Sequence, residues 1–176
     1  MNTFYIDTKD LRKTIPNLKK GDKVFLSGDV YTSRDAAHKR IFDYLDSSLP
    51  LPYPIKDSVV YYAGPTPTPK GQVIGSCGPT TSMRMDSYSP RLLDMGQVCM
   101  IGKGERSKEV IDAITRNKAF YLCAIGGAGA LAAKCIDKCE VIAFDDLGCE
   151  SVKKLHFNNY PLIVAIDSFG NNIFEY

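Results

Sequence analysis

The stretch QVCMIGKGERSKEVIDAITRNKAFYLCAIGGAGALAAK, Gln97 to Lys134, decides the fold class. Gln97 to Ile101 is a short apolar run, and GKGER, Gly102 to Arg106, is a glycine-flanked polar loop. A helix then follows, with Val110, Ile111 and Ile114 on one side at helical spacing. Phe120 to Ile125 repeats the apolar run, and the small residues Gly126 to Ala133 suit a tight turn into a closely packed helix. Strand, loop, helix, strand, helix within one short stretch is the signature of α/β architecture.

Working outward, the same alternation continues in both directions. NLKKGD, Asn17 to Asp22, reads as a turn, and Val24 to Val30 reads as a buried strand entering the polar loop GDVYTSRD, Gly28 to Asp35. Ala37, Ile41 and Leu45 place a helix over Arg34 to Leu45, with Arg34 in its first turn. A cation there opposes the helix dipole and asks for an anionic partner. The proline-rich Leu49 to Pro54 ends that helix. Strands are expected at Ser58 to Gly64 and Gln72 to Gly78, and a helix from Thr80 or Thr81 onward, with Pro79 at its start. Val141 to Phe144 and Leu162 to Asp167 complete the set, and strands bordered by loops leave room for a mixed sheet.

Composition excludes several functions. The chain has 176 residues, of which 44% are hydrophobic and 24% charged, which suits one packed domain over residues 1–176. Lys plus Arg number 22 against 20 for Asp plus Glu, a net charge of +2, so no broad electrostatic case exists for nucleic acid. The apolar runs are strand-sized and exclude a membrane helix, and the N-terminal residues carry acidic groups rather than a secretory signal. The cytoplasm is the expected location. The cysteines, at 77, 99, 123, 135, 139 and 149, are dispersed and fit reduced thiols, with no local metal-knuckle spacing.

Three polar clusters follow separate strands: GDVYTSRD, GPTTSMR at Gly78 to Arg84, and GKGE at Gly102 to Glu105. Their cations Arg34, Arg84 and Lys103 would suit a small dianion if they converge, because guanidinium forks match carboxylate oxygens. Separate solvated surface cations are the alternative. Thr80 and Thr81 serve either as helix caps or as site hydroxyls, and a threonine takes a substrate proton only beside a stabilising cation. Asp29 and Asp35 are candidates to orient Arg34, with helix capping the alternative for Asp35. His38, one turn beyond Arg34, is either a contact to the same ligand or a packed helix residue. The glycine-rich segment Gly126 to Ala130 either presents backbone donors or packs tightly, and it lacks nucleotide-fingerprint spacing.

At these clusters the chain resembles the β subunit, or equivalently the C-terminal domain, of the class I, iron–sulfur-dependent fumarate hydratase and L-tartrate dehydratase family. The matching stretches are GDVYTSRDAAHKR at Gly28 to Arg40, YYAGPTPTPKGQVIGSCGPTTSMRMDSY at Tyr61 to Tyr88, GKG at Gly102 to Gly104, YLCAIGGAGALAAKCI at Tyr121 to Ile136, and the tail from Val141 to Asn171. The resemblance implies a swivelling β/β/α domain with a mixed sheet and flanking helices. It implies that Arg34, Arg84 and Lys103 hold substrate carboxylates, that Thr80 is the catalytic base, and that Thr81 adds a substrate contact. Asp29, Asp35 and His38 are supporting candidates. It further implies a [4Fe–4S] cluster carried by an α subunit rather than by this chain, and a β–β contact within a heterotetramer. The implied reaction is reversible hydration of fumarate to malate, with L-tartrate dehydration as the alternative substrate and a non-catalytic anion-binding or regulatory module as the alternative class. Two departures stand out: Cys149 in place of methionine, a position that reads as packing, and Ser82 and Met83 between the threonines and Arg84.

Overall fold

A computed structural model of the protein describes residues 1–124 and 128–175. Its seven described strands are β1 (Thr3–Asp7), β2 (Lys23–Thr32), β3 (Val59–Tyr61), β4 (Cys99–Gly102), β5 (Phe120–Ala124), β6 (Ile136–Ala143) and β7 (Val152–Ile166). The described helices are the single turn α1 (Leu11–Thr14), α2 (Asp35–Asp46), α3 (Ser89–Asp94), α4 (Lys108–Asn117) and α5 (Ala128–Cys135). No described helix is long and apolar enough to cross a membrane.

The strands form one mixed sheet in the order β1-β2-β3-β4-β5-β7-β6. Strands β2 to β5 run parallel to their neighbours, while β7 runs antiparallel to both β5 and β2. That double pairing closes β2, β3, β4, β5 and β7 into a barrel, with β1 and β6 continuing the sheet outside it. The α/β class with a mixed sheet and flanking helices is therefore present.

Strand alternation divides the apolar residues between two layers. Val24, Leu26, Tyr61, Ile101, Leu122, Leu155 and Phe157 fill the barrel interior. Val60, Tyr62, Met100 and Tyr121 point the other way and pack against Ala37 and Ile41 of α2, Leu92 and Leu93 of α3, and Val110 and Ile114 of α4. Ile111 is only partly buried at the edge of this layer. Burial on both sides explains the unbroken apolar runs of β3 to β5.

Several elements differ from the sequence expectation. Gln72 to Gly78 forms no strand, because its backbone bonds to loop and helix instead: Ser76 O accepts from Thr66 N at 2.9 Å and Cys77 N donates to Gly129 O at 3.1 Å. The helix expected from Thr80 is a 3-10 turn over Ser82–Met85, followed by the separate α3. Arg34 is not inside the first turn of α2 but precedes it with extended backbone. Strand β1 was not foreseen, and β7 begins ten residues before the expected Leu162. In β7 a local irregularity conceals the strand. Asn159 has φ 53°, and the register against β2 shifts between Leu26 and Gly28, so that Phe157 and Tyr160 both face the interior.

Gly28 sits in that irregularity with φ +107°, and a Cβ there would collide with Thr8 Oγ1 and lie 2.9 Å from Asp7 Oδ1. Gly71, with φ +78°, has open space around the same position. Gly28→Ala is expected to lower unfolding free energy by about 2 kcal/mol or more, against roughly 1 kcal/mol for Gly71→Ala, as read by denaturant unfolding.

Candidate active site

Because β2, β3 and β4 are parallel, their carboxyl ends share one rim, the usual place for ligands in such sheets. The backbone continues to interlock beyond the strands. Ser33 N donates to Tyr61 O at 3.1 Å, Tyr62 N to Ile101 O at 2.9 Å, and Thr80 N to Tyr62 O at 2.7 Å. Ser82 N donates to Lys103 O at 2.9 Å, and Thr81 pairs with Lys103 in a parallel bridge. These bonds place Arg34, Thr80, Thr81, Arg84 and Lys103 along one edge.

The Arg84 guanidinium is oriented by Asp35, with Nε 3.1 Å from Oδ1 and Nη2 2.8 Å from Oδ2. The Nε hydrogen bond, with the ion pair to Oδ2 beside it, anchors the group against the start of α2. Its Nη1 is thereby aimed at Thr80 Oγ1, 3.5 Å away. A hydroxyl beside a held cation is the arrangement that lowers the cost of an alkoxide. Asp35 therefore holds Arg84, not Arg34 as expected, because the first residue of α2 faces the 3-10 turn.

Arg34 is only partly exposed and lies against the bare Cα of Gly64, where a Cβ would come within 2.9 Å of Nη1. Glu150, absent from the sequence reading, stands 3.9 Å from Arg34 Nε and accepts from Ala36 N at 3.3 Å. The sequence offers no signal for it, since the 3-10 segment Asp145–Glu150 reaches α2 only through the closed sheet. Cys149, in the same segment, is exposed rather than packed as expected, because the segment lies on the outer surface.

Lys103 is exposed and makes no ion pair among the described residues. Its backbone is fixed by Ser82, whose Oγ accepts from Lys103 N at 3.1 Å and from Tyr121 OH at 2.8 Å. Gly102 is required here, since a Cβ would meet Ser82 Oγ. Met83 projects from the rim, 53% exposed. Beneath this layer runs a buried network that the sequence did not reveal. Arg106 Nε donates to Asp86 Oδ1 at 2.6 Å and its Nη2 to Ser89 Oγ at 2.7 Å, while Asp86 Oδ2 accepts from Ser107 N at 2.6 Å. The pair ties the start of α4 to the turn that carries Arg84.

The remaining candidates lie elsewhere. Asp29 is exposed on β2, opposite His156 and 3.5 Å from Lys154, because it precedes the rim and alternation turns it outward. It does not orient Arg34. His38 is completely buried between Tyr62 and Tyr88, so it packs rather than touching a ligand. Its Nδ1 lies 2.8 Å from Arg34 O and from Ser33 Oγ, and since a carbonyl only accepts, Nδ1 carries the proton. Gly126 and Gly127 lie outside the described residues, as does Ile125 of the expected strand. Gly129 packs closely, with Cys77 N donating to its carbonyl.

The cysteine set does not fit a metal cluster: among the described residues no three His, Cys, Asp or Glu side chains come together. Burial pushes the Cys77 thiol up to about 12 and also raises that of Cys99.

Cations and threonine hydroxyls thus stand together on one strand-end rim of a barrelled α/β domain. The family model for the fumarase C-terminus matches residues 1–176, and the chain belongs to that family. It is 39% identical to fumarate hydratase 2 of Leishmania major over 94% of this chain and 29% of that protein. It is 37% identical to the anaerobic class I fumarate hydratase of Escherichia coli strain K12 over 95% of this chain and 31% of the relative. With the L(+)-tartrate dehydratase subunit beta of the same organism it shares 31% identity over 97% of this chain and 84% of the relative. The chain thus spans about three-tenths of the length of the fumarate hydratases, 29% and 31%, but most of the tartrate dehydratase subunit.

Burial holds His38 down at about 4, against the ordinary 6.5; the Arg34 carbonyl raises it, Arg106 lowers it and Asp35 raises it. The folded state keeps His38 neutral while the unfolded chain takes a proton below pH 6.5. Its contribution is therefore fully present above pH 6.5 and lost as pH falls toward 4, on the order of 3 kcal/mol. Urea unfolding across that window is expected to show a shallower loss of stability in His38→Gln than in the wild-type chain.

Proposed function

We propose that this chain is the β component of a hydro-lyase that interconverts fumarate and malate, forming one wall of the active site. The observation that carries the reading is the Arg84 guanidinium, held by Asp35 and aimed at Thr80 Oγ1 from 3.5 Å. In this reading Arg34 and Lys103 hold the substrate carboxylates, with Thr81 adding a hydrogen bond. In the direction from malate to fumarate, Thr80 acts as the alkoxide that Arg84 stabilises: its Oγ1 takes the proton from the carbon next to a carboxylate and becomes the neutral hydroxyl, while the carbon electron pair forms the double bond and hydroxide leaves the neighbouring carbon. The residues between them, Ser82 and Asp35, keep these groups from moving apart.

The [4Fe–4S] cluster implied by the resemblance belongs, in this reading, to a partner α subunit, in keeping with the scattered cysteines here. The chain acts as one domain of the swivelling β/β/α type over residues 1–176, working in the cytoplasm within a heterotetramer that includes a β–β contact. L-tartrate is the second substrate reading, favoured by the extent of the match to a tartrate dehydratase subunit. Both substrates are 2-hydroxy dicarboxylates or their dehydration products, so the same cations serve either.

Co-expression with the cluster-bearing partner under anaerobic conditions tests this directly. Thr80→Ala is expected to lower kcat by about 10²- to 10⁴-fold with the complex intact, and Arg84→Ala to lower kcat/KM strongly. The ratio of malate to tartrate dehydration decides the substrate. A loaded complex that turns over neither diacid, or that keeps full activity in both variants, replaces this reading with the anion-binding module.

A further inference from the structure

The two rim arginines are held in different ways. Arg84 meets Asp35 through two short contacts. Arg34 Nε is buried and has no hydrogen-bond partner among the described residues, although Glu150 Oε1 stands 3.9 Å away. A buried guanidinium N–H without an acceptor is costly, and the carboxylate that would satisfy it is one small movement distant.

Glu150 is itself placed by a built support. Lys153, at the start of β7, is only 7% exposed, and its ammonium gathers the turn that precedes it. Nζ lies 3.4 Å from Gly148 O, 3.2 Å from Cys149 O, 3.3 Å from Ser151 O and 2.7 Å from Ser151 Oγ. Gly148, with φ 61° and ψ −121°, supplies the kink that lets these carbonyls converge. On the far side, Asp146 accepts from Arg40 of α2 at 2.7 and 2.9 Å. The segment is thus fastened to α2 at one end and to β7 at the other, with Glu150 delivered between Arg34 and the Ala36 N–H. Cys149 O closes the same corner, 3.0 Å from where a Gly64 Cβ would be.

We infer that Glu150 is a positioning residue for Arg34: its carboxylate accepts Arg34 Nε–H when a diacid engages the outer nitrogens of the guanidinium, and Lys153 holds the turn that presents it. The inference deepens the hydro-lyase reading and rests on it for its kinetic consequence. It explains why Arg34 needs no carboxylate from its own helix, Asp35 being committed to Arg84. Because the carboxylate also caps α2, substitution tests must separate the two tasks.

The test uses the co-expressed complex for kinetics and the isotopically labelled chain for the arginine itself. Glu150→Ala is expected to raise KM for malate about tenfold while kcat changes less than about threefold. Glu150→Gln, whose amide oxygen still accepts from both N–H groups, recovers most of that loss. In an Arg34→Ala background, Glu150→Ala adds less than about twofold, since nothing remains to position. An equal effect of Glu150→Ala in both backgrounds overturns the inference and leaves Glu150 a helix cap. Independently of turnover, with saturating malate present to engage the outer nitrogens, Arg34 Hε is expected to exchange with water at least about threefold faster in Glu150→Ala and in Lys153→Met, with Glu150→Gln close to wild type. Unchanged exchange overturns the inference even if the complex is active. A wild-type complex silent on both diacids, with faster exchange in the variants, sinks the hydro-lyase reading and keeps the positioning role.

Discussion

The antiparallel return of β7 between β5 and β2 is the constraint on which the rest of the molecule depends. A parallel run from β2 to β5 would otherwise leave two open edges of unpaired backbone groups. With β7 paired to both, the sheet closes, its interior fills with Tyr61, Leu122, Phe157 and their neighbours, and the outer face is left for the helices. Closure also sets the spacing of the strand ends. The exits of β2, β3 and β4 are held at one rim, so residues distant in sequence meet without any long side chain having to reach.

Above that rim the order is maintained by polar groups rather than by packing. Each cation is fixed differently: Arg84 by a carboxylate on the neighbouring helix, Lys103 through its backbone by Ser82, and Arg34 by a snug fit against Gly64 with Glu150 near. Arg106 and Asp86 hold the layer underneath, with the guanidinium stacked near Tyr62 and Tyr121. Removing one member of such a buried pair generally costs about 3–5 kcal/mol, which makes this network as much a part of the fold as the apolar core. Preorganisation of this sort is what electrostatic catalysis demands, since groups already in place need not reorganise as charge develops.

His38 illustrates how the two layers meet. Its position one turn after Arg34 invited a role at the ligand, yet the ring is turned inward, where its Nδ1 proton holds the Arg34 carbonyl at the start of α2. The histidine holds the backbone from which Arg34 projects. Asp35 and Asp29 divide similarly. Adjacent strand and helix geometry sends one to Arg84 and the other to Lys154.

The alternation of apolar runs with helical periods determined the α/β class, most of the strands, and helices α2 and α4, because periodicity is a local property of the chain. The glycine-flanked clusters marked Arg34, Thr80, Arg84 and Lys103 as candidates, since loops after buried strands often carry polar groups, but left open whether they converge. What only the tertiary structure decided were the long-range partnerships. Asp35 with Arg84, Asp86 with Arg106, Glu150 with α2, and the double pairing of β7 join residues between 20 and 140 positions apart, and no local pattern encodes a contact at such separations. β7 itself was hidden because its irregularity at Asn159 breaks the two-residue rhythm by which a strand is recognised.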